Sequence, residues 1–266
     1  ERSVFARKNY FYPDLPKGYQ ISQYELPLAT DGRLIIHTDA GDKVIRIRRV
    51  HLEEDTGKLF HRQDASLIDF NRSGVPLLEI VSEPDLQSLD EVKAYATGLR
   101  TLLRYCGVTS GDMEKGVIRF EANVSLRPAG TSALGTRTEI KNLNSFRSML
   151  RALTFEIERQ SALLEAGRHV RLETLGWDDA NGVTVPQRGK EEAHDYRYFP
   201  EPDLPPLCLG AGWVERVTAQ VPETPEARRA RIIARDGLPP ATADVLVAER
   251  AVVEFYEQAV AFRPAS

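Results

Sequence analysis

The most constraining feature of the sequence is the segment 117–127, in which apolar and polar residues alternate strictly from Ile118 to Arg127. Successive side chains of a β-strand point to opposite faces, so alternate residues share a face. One face of this segment is wholly apolar and predicts core packing. The other face is polar and carries both signs of charge; its members are Arg119, Glu121, Asn123, Ser125 and Arg127. A solvated strand face would show the same pattern, so this segment alone leaves both interpretations open.

A second segment, residues 136–141, repeats the pattern and places Glu139 and Lys141 on one face. If the two segments pair, their polar faces form one patch in which Glu121 joins these residues. Carboxylates are ligands for Mg²⁺, and lysine or arginine side chains bind phosphate oxygens. The patch therefore suits a site that holds Mg²⁺ and a polyphosphate together.

Further acidic residues lie in or beside apolar segments. Glu79 interrupts an apolar run at 75–81, where a charge is costly to bury unless it is paired or metal-bound. The alternative is an edge strand with Glu79 turned to water. Glu54 belongs to an acidic cluster at 53–55, which is more often a solvated loop, and the neighbouring His51 is more often structural than catalytic. Together these residues favour a sheet lined by carboxylates.

The periodicity predicts an α+β fold in which short strands are supported by two helices. Strands are expected at about 33–37, 43–54, 66–71 and 75–82, and helices at 89–106 and 145–166. Cys106 lies on the apolar stripe of the first helix and is expected to be a buried free thiol. An Ala/Arg-rich helical region after about residue 222 indicates a domain boundary near 220, which divides the chain into domains 1–220 and 221–266.

Composition and missing motifs exclude several classes of protein. The sequence contains no P-loop and no Gly-x-Gly-x-x-Gly dinucleotide motif, so any ATP site would need another fold. A net charge of −4 gives no general support for nucleic-acid binding, although local basic faces remain compatible with it. The two cysteines exclude a disulfide scaffold and fit a reducing cytoplasm. No apolar run approaches the ~20 residues that a membrane span needs.

Several long motifs resemble the GatB/GatE family, which contains the B subunits of aspartyl/glutamyl-tRNA amidotransferases. The resemblance covers nearly the whole chain. The motifs are RKNYFYPD (7–14), HLEED (51–55), DFNRSGVPLLEI (69–80), SEPD (82–85), EANVSLRP (121–128), EIKNLNSF (139–146) and DYRYFPEPD (195–203).

The resemblance implies both a fold and a reaction. The family's catalytic cradle is similar to glutamine synthetase, with a curved, largely antiparallel sheet backed by helices and followed by a helical domain. Its members use ATP and Mg²⁺ to phosphorylate the side-chain carboxylate of Glu or Asp mischarged on tRNA(Gln) or tRNA(Asn). Ammonia from the glutaminase subunit GatA then displaces the phosphate. GatA, GatC and the mischarged tRNA are the implied partners, and the implied location is the cytoplasm or an organellar matrix, without membrane attachment.

The family's functional positions transfer to this sequence motif by motif. Its metal-binding acidic positions correspond to Glu54, Glu79, Glu121 and Glu139, although the family usually has Asp at the position of Glu121. Lys8 matches a lysine near the mouth of the ammonia channel, where the position of Glu54 is its partner. The basic residues in family motifs that are expected to hold phosphate are Arg72, Lys141 and Arg197.

The resemblance also bounds the prediction. The family's first ~70 residues supply further ligands and, in some members, a zinc site; we expect them to lie outside this sequence, and we expect no zinc here. The remaining helical and tail domains, which grip tRNA, are expected to follow residue 266. Two alternatives stay open: a catalytically silent scaffold or RNA-binding subunit of the same fold, and the archaeal GatE-type paralogue.

Overall fold

The computed structural model describes residues 2–187 and 196–262 and confirms the α+β class. The chain divides into two compact units. Unit 1 contains Glu1–Leu86 and Lys190–Ala219, and unit 2 contains Gln87–Gly189 and Gln220–Ser266. One switch between the units falls at 219/220, where the sequence predicts a domain boundary. The assignment of 1–220 and 221–266 as separate domains stays a prediction.

The elements are numbered in chain order. The strands are β1 (Arg2–Ser3), β2 (Ala6–Asn9), β3 (Tyr19–Ser22), β4 (Ala29–Thr38), β5 (Gly41–Glu54), β6 (Lys58–His61), β7 (Ser66–Asp69), β8 (Pro76–Ser82), β9 (Phe120–Val124), β10 (Thr138–Leu143), β11 (Glu173–Asp178), β12 (Val183–Pro186), β13 (Phe199–Pro200) and β14 (Leu207–Cys208). The helices are α1 (Leu89–Tyr105), α2 (Phe146–Glu165), α3 (Ala211–Gln220), α4 (Pro225–Asp236), α5 (Pro240–Val247) and α6 (Arg250–Ala261).

Unit 1 is built around the long strand β5. This strand pairs antiparallel with β4 on one side and with β8 on the other. Ile36, Ile45 and Ile47 form the buried side of the β4–β5 ladder. The order β13–β2–β3 gives a second antiparallel sheet, and short ladders join β1 to β14 and β6 to β7. The position of Glu79 on β8 is therefore on an edge strand of the β4–β5–β8 sheet, one of the two outcomes that the sequence allows.

Unit 2 contains a sheet with the order β12–β11–β10–β9. The β9–β10 pairing is antiparallel and confirms that the two alternating segments are neighbours, whereas β10 and β11 are parallel. Helix α2 covers the apolar side of this sheet, where Ile140, Met149 and Trp177 belong to one buried cluster. The apolar face of this sheet thus packs in the core, as the alternation of apolar and polar residues predicts. A smaller core lies among α4, α5 and α6 around Ile232.

Helix boundaries follow the capping residues. Ser88 Oγ accepts a hydrogen bond from the Glu91 amide at 3.2 Å, and the Glu91 carboxylate accepts the Gln87 amide at 2.6 Å. Both contacts satisfy amides that lack a partner at a helix start. The expected burial of Cys106 is wrong, because this thiol is exposed. Helix α1 ends one residue earlier, and its last residue, Tyr105, takes the buried position and donates to the Val247 carbonyl at 2.8 Å.

Several elements were not predicted from the sequence, among them the short strands β1, β13 and β14 as well as β6 and α3. Strand β6 is only four residues long, and α3 begins well before the helical region expected after 222. Asn181-Gly182 lies in the turn between β11 and β12, and Gly182 has a φ of 68° there. Among residues 2–187 and 196–262, no helix combines the length and apolar character that a membrane crossing requires.

Arg7 on β2 links the N-terminal strands to the segment after β13. Its guanidinium donates to both carboxylate oxygens of the buried Glu201, at 2.7 and 2.9 Å. These hydrogen bonds hold the pKa of Glu201 below its ordinary value of 4.5. Paired charges of this kind stabilise a fold only while both groups stay ionised.

The core of unit 1 predicts a sharp contrast between two isoleucines of the β4–β5 ladder. Ile45 is 0% exposed and Ile35 is 40% exposed. Ile45→Ala should lower the free energy of unfolding by about 2–5 kcal/mol, because it leaves a cavity in packed surroundings. The matched control Ile35→Ala should cost less than about 1 kcal/mol. Urea unfolding of both variants measures the difference, and equal losses would contradict the packing described here.

The Arg7–Glu201 pair predicts an acid-dependent stability. Because the folded-state pKa of Glu201 is lowered, the unfolded chain binds the proton more readily. The contribution is fully present above pH 4.5 and is lost as the pH falls through the lowered pKa. Glu201→Gln should therefore flatten the decline in unfolding free energy between about pH 5 and about pH 3. Identical acid slopes for the wild type and the variant would show that the pair does not contribute.

Candidate active site

The C-terminal half of β5 brings His51 and Glu53 onto one face of its sheet. The two residues are two positions apart in a strand, and the register places Glu79 of β8 directly opposite His51. His51 Nε2 lies 3.6 Å from Glu53 Oε2 and 3.5 Å from Glu79 Oε2. His51 is 3% exposed, whereas Glu79 is 48% exposed, so the cluster has a buried side and an open side.

This cluster fits a divalent cation. One ligand atom from each of the three residues lies within 4.8 Å of the other two. The nitrogen–oxygen separations of 3.5 and 3.6 Å are longer than an ordinary hydrogen bond. Two ligands bonded at about 2.1–2.3 Å to one ion lie at roughly such separations from each other. Within residues 2–187 and 196–262, the buried Nδ1 of His51 has no hydrogen-bond partner.

The donor set of this cluster restricts the choice of metal. Carboxylate oxygens suit Mg²⁺ and Mn²⁺, while imidazole nitrogen also suits softer transition metals. Glu53 is held in place because its carboxylate accepts a hydrogen bond from Ser22 Oγ at 3.3 Å. The two carboxylates can therefore hold a hard ion from one side, with His51 as a nitrogen donor or as a support for Glu79.

Glu54, the predicted ligand next in sequence, faces the other way. Adjacent residues in a strand point to opposite faces, and its carboxylate accepts the backbone amide of Ile21 at 2.8 Å. The same carboxylate oxygen forms an ion pair with Lys17. Gln20 donates to the Glu54 carbonyl at 2.7 Å, which ties β3 to the end of β5. Glu54 is therefore anchored to β3 and Lys17, apart from the Glu53 side of the strand.

A row of tyrosine rings lies beside the acidic cluster. Tyr24 stacks on Tyr198 with ring centroids 4.5 Å apart, and Tyr198 contacts Tyr196 edge to face at 6.2 Å. Tyr196 in turn meets Tyr10 at 6.1 Å, and the Lys8 ammonium lies 4.7 Å from the Tyr196 ring centre. We call these four rings the tyrosine row.

Burial keeps members of the tyrosine row protonated. It raises the pKa of Tyr198, and nearby Glu53 raises it further. Burial likewise raises the pKa of Tyr10, with the charge of Asp14 as the next contribution. The phenols of Tyr10 and Tyr198 are thus neutral hydrogen-bond donors at neutral pH.

Two predicted phosphate-binding arginines also belong to unit 1. Arg72 follows β7 in a turn, and its Nε lies 3.7 Å from the Asp55 carboxylate. This Nε is buried and makes no hydrogen bond within residues 2–187 and 196–262. Arg197 lies between two members of the tyrosine row, is exposed, and has a left-handed backbone with φ of 45°.

The polar face of the β9–β10 ladder carries the remaining predicted residues. Lys141 Nζ contacts Glu121 Oε1 at 2.9 Å, so the predicted patch forms within unit 2. Glu139 accepts a hydrogen bond from Thr174 Oγ1 at 3.0 Å, across the parallel β10–β11 pair. A bulge between Ile140 and Leu143 shifts the register next to Lys141. Glu121 and Lys141 lie together here, and the direct metal contacts of Glu121 and Glu139 stay predictions.

Three residues of this arrangement have no role predicted from the sequence. Glu53 lies next to the predicted Glu54, His51 is expected to be structural, and Lys17 belongs to no predicted site. Strand alternation gives a signal for the first two, because His51 and Glu53 must share a face that excludes Glu54. No local pattern marks Lys17, because it lies in a turn and its partner Glu54 is 37 positions away on β5.

The fold and these clusters define an α+β protein whose sheet faces combine carboxylates with lysine, arginine and tyrosine, a chemistry suited to a metal ion and phosphate. A family model described as the GatB/GatE catalytic domain matches residues 1–215. The chain therefore belongs to this family, as its motifs indicate.

Curated relatives are named as the B subunits of aspartyl/glutamyl-tRNA(Asn/Gln) amidotransferases. The protein from Moorella thermoacetica is 54% identical over 264 residues, which are 98% of this chain and 56% of the relative. The protein from Roseiflexus sp. is 56% identical over 97% of this chain and 53% of the relative. That from Thermodesulfovibrio yellowstonii is 53% identical over 97% and 54%, respectively. This chain thus spans about half the length of these relatives.

The His51–Glu53–Glu79 cluster predicts measurable cation binding. Calorimetric titration with Mn²⁺ should detect a site that Glu53→Ala and Glu79→Ala each weaken by about tenfold or more, because each removes a charged ligand. The control Glu25→Ala removes an exposed carboxylate outside the cluster and should leave the affinity unchanged. Equal weakening by all three substitutions would indicate general electrostatic attraction instead of a site.

Proposed function

We propose that this chain is the catalytic part of a tRNA-dependent amidotransferase subunit that activates a carboxylate with ATP. The substrate is Glu or Asp mischarged on tRNA(Gln) or tRNA(Asn), and the product is the amide. The observation that carries this proposal is the 53–56% identity to amidotransferase B subunits across 97–98% of the chain. The carboxylate and lysine clusters on the sheets of both units support it.

The chemistry explains why such residues are required. A free carboxylate is a poor acceptor for ammonia, because oxide would have to leave. Transfer of the γ-phosphoryl group of ATP to a carboxylate oxygen gives an acyl phosphate and ADP. Ammonia then attacks the acyl carbon, inorganic phosphate leaves, and the nitrogen loses a proton. The enzyme needs no nucleophile of its own for these steps, only residues that position the substrates and neutralise charge.

The acidic residues are proposed to hold Mg²⁺. In unit 1 the holders are Glu79 and Glu53 with His51 beside them, and in unit 2 they are Glu139 and Glu121. When bound, the ion neutralises charge on the transferring phosphoryl group. Glu53 enters this set because its carboxylate faces Glu79's side of the sheet, whereas the role of Glu54 as a ligand rests on the family motif alone.

The basic residues are proposed to contact phosphate oxygens. Lys141 offers an ammonium next to Glu121, and this contact keeps it at the polar face of β10. Arg72 is oriented by Asp55, which leaves the other donors of its planar guanidinium for an anion. Arg197 extends from a strained turn within the tyrosine row. Each of these residues, within its own unit, offers positive charge to phosphate oxygens.

Lys8 and Glu54 are proposed to act on the ammonia side of the reaction. Glu54 is held by the Ile21 amide and by Lys17, so its carboxylate is kept in place. Such a group can accept a proton from ammonium or orient ammonia through a hydrogen bond. Lys8, over the Tyr196 ring, offers a second charge on β2. A direct pairing of Lys8 with Glu54 remains part of the proposal.

The remaining partners follow from the proposed reaction. An amidotransferase with a B subunit implies further subunits, and we propose a glutaminase subunit, GatA, that releases ammonia, together with the small subunit GatC. The mischarged tRNA is the substrate, and the cytoplasm, where aminoacylation occurs, is the proposed location.

An amidation assay of the complete protein in its assembly tests the proposal. With ATP, glutamine and Glu-tRNA(Gln), the wild type should form Gln-tRNA(Gln) and release ADP and phosphate. Glu79→Ala and Glu139→Ala should each lower ATP turnover by about 100-fold or more, because each removes a proposed ligand. The control Glu158→Ala removes an exposed carboxylate on α2 and should retain full turnover.

The same assay separates a catalytic subunit from a silent scaffold. A scaffold would keep its assembly and show no dependence of ATP turnover on Glu79 or Glu139. Full turnover by both alanine variants, with normal assembly, would therefore refute the catalytic proposal. Replacing Glu-tRNA(Gln) with Asp-tRNA(Asn) in the assay defines which substrate is used.

A further inference from the structure

Arg197 has a left-handed backbone conformation, which arginine rarely adopts. Among the described residues, the only non-glycine residues with a positive φ are Asp31, Asn142 and Arg197. Aspartate and asparagine tolerate the left-handed region because their short polar side chains bond locally, whereas arginine gains no such contact. A residue of this kind keeps its conformation only where surrounding contacts hold it.

The side chain of Asn9 supplies those contacts. Asn9 Nδ2 donates to the Arg197 carbonyl at 2.8 Å and to the Tyr196 carbonyl at 3.2 Å. The Asn9 backbone amide also donates to the Tyr196 carbonyl, at 2.9 Å. One asparagine at the end of β2 therefore binds the carbonyls on both sides of the Arg197 Cα. These two peptide units define the φ and ψ of Arg197, so Asn9 holds the strained conformation directly.

This conformation changes where Arg197 lies relative to its neighbours. In a regular extended segment, Arg197 would point to the face opposite Tyr196 and Tyr198. The left-handed backbone breaks that alternation within the tyrosine row. The side chain is exposed, and its guanidinium makes no hydrogen bond or ion pair to any residue in 2–187 or 196–262. A guanidinium with five available donors suits a phosphate, which it can bind through two oxygens.

We infer that Asn9 is a positioning residue, which holds Arg197 in its left-handed conformation so that the guanidinium is preset to bind the triphosphate of ATP. This inference rests on the proposed function and adds a residue to it that touches no substrate. Presetting an arginine reduces the conformational freedom that it would otherwise lose on binding. Loss of the Asn9 side chain should therefore weaken ATP binding more than it slows the chemical step.

A double-mutant cycle in the complete protein, within its assembly, tests the coupling. Arg197→Gly removes the guanidinium but accepts a positive φ without strain. It should raise the KM for ATP by about tenfold, with a smaller change in kcat. Asn9→Ala should raise the KM for ATP several-fold, and the double variant should be no worse than Arg197→Gly alone. The control Asn181→Ala, which removes an amide bonded to Asp178, should leave the KM unchanged.

Unfolding measurements on the same four proteins provide an arm that needs no ATP. Asn9→Ala should lower the melting temperature more in the wild-type background than in the Arg197→Gly background, where the strain is absent. If Asn9→Ala folds only together with Arg197→Gly, that outcome also supports the coupling. Equal melting-temperature losses in both backgrounds would overturn it.

The kinetic arm distinguishes failure of this inference from failure of the proposed function. If Arg197→Gly leaves the KM for ATP unchanged while Glu79→Ala abolishes turnover, the inference is wrong and the proposed function stands. If Asn9→Ala raises the KM equally in both backgrounds, Asn9 acts without Arg197 and the inference is again wrong. Full turnover by Glu79→Ala and Glu139→Ala would refute the proposed function itself, whatever the unfolding measurements show.

Discussion

The pairing of β5 with β8 is the constraint on which the candidate chemistry of unit 1 depends. Its register sets Glu79 opposite His51, and strand alternation adds Glu53 to the same face. A shift of β8 by one residue would turn Glu79 to the opposite face, away from His51 and Glu53. The buried isoleucines of the β4–β5 ladder oppose a slip of β5 itself, because that slip would expose them to water. The core packing of β5 and the register of β8 thus together determine where these side chains lie.

Neighbouring residues hold the carboxylates of the candidate sites in place. Ser22 binds Glu53, the Ile21 amide and Lys17 bind Glu54, and Lys141 binds Glu121. Left-handed or bulged backbone occurs at or next to two of the basic positions, Lys141 and Arg197. Strained backbone costs free energy and often marks functional positions. Its occurrence beside residues proposed to bind phosphate is consistent with a site prepared before the substrate arrives.

The sequence predicts local features of this fold well and non-local ones poorly. Alternation identified the two faces of β9 and β10, and apolar periodicity located α1 and α2, because both patterns depend on neighbouring residues. The His51–Glu79 contact depends on a register between strands 28 positions apart, and the Lys17–Glu54 ion pair on a contact that no spacing rule encodes. The left-handed conformation of Arg197 could not be predicted either, since glycine is the usual sequence signal for that conformation.

The carboxylates of Glu53 on β5 and Glu79 on β8, with the His51 imidazole beside them, are proposed to hold one divalent ion. Anomalous diffraction from crystals grown with Mn²⁺ tests it most directly, because the method locates the metal without an activity assay. An anomalous peak is expected about 2.2 Å from carboxylate oxygens of Glu53 and Glu79, next to His51. Manganese bound at other positions with none in this cluster would contradict it.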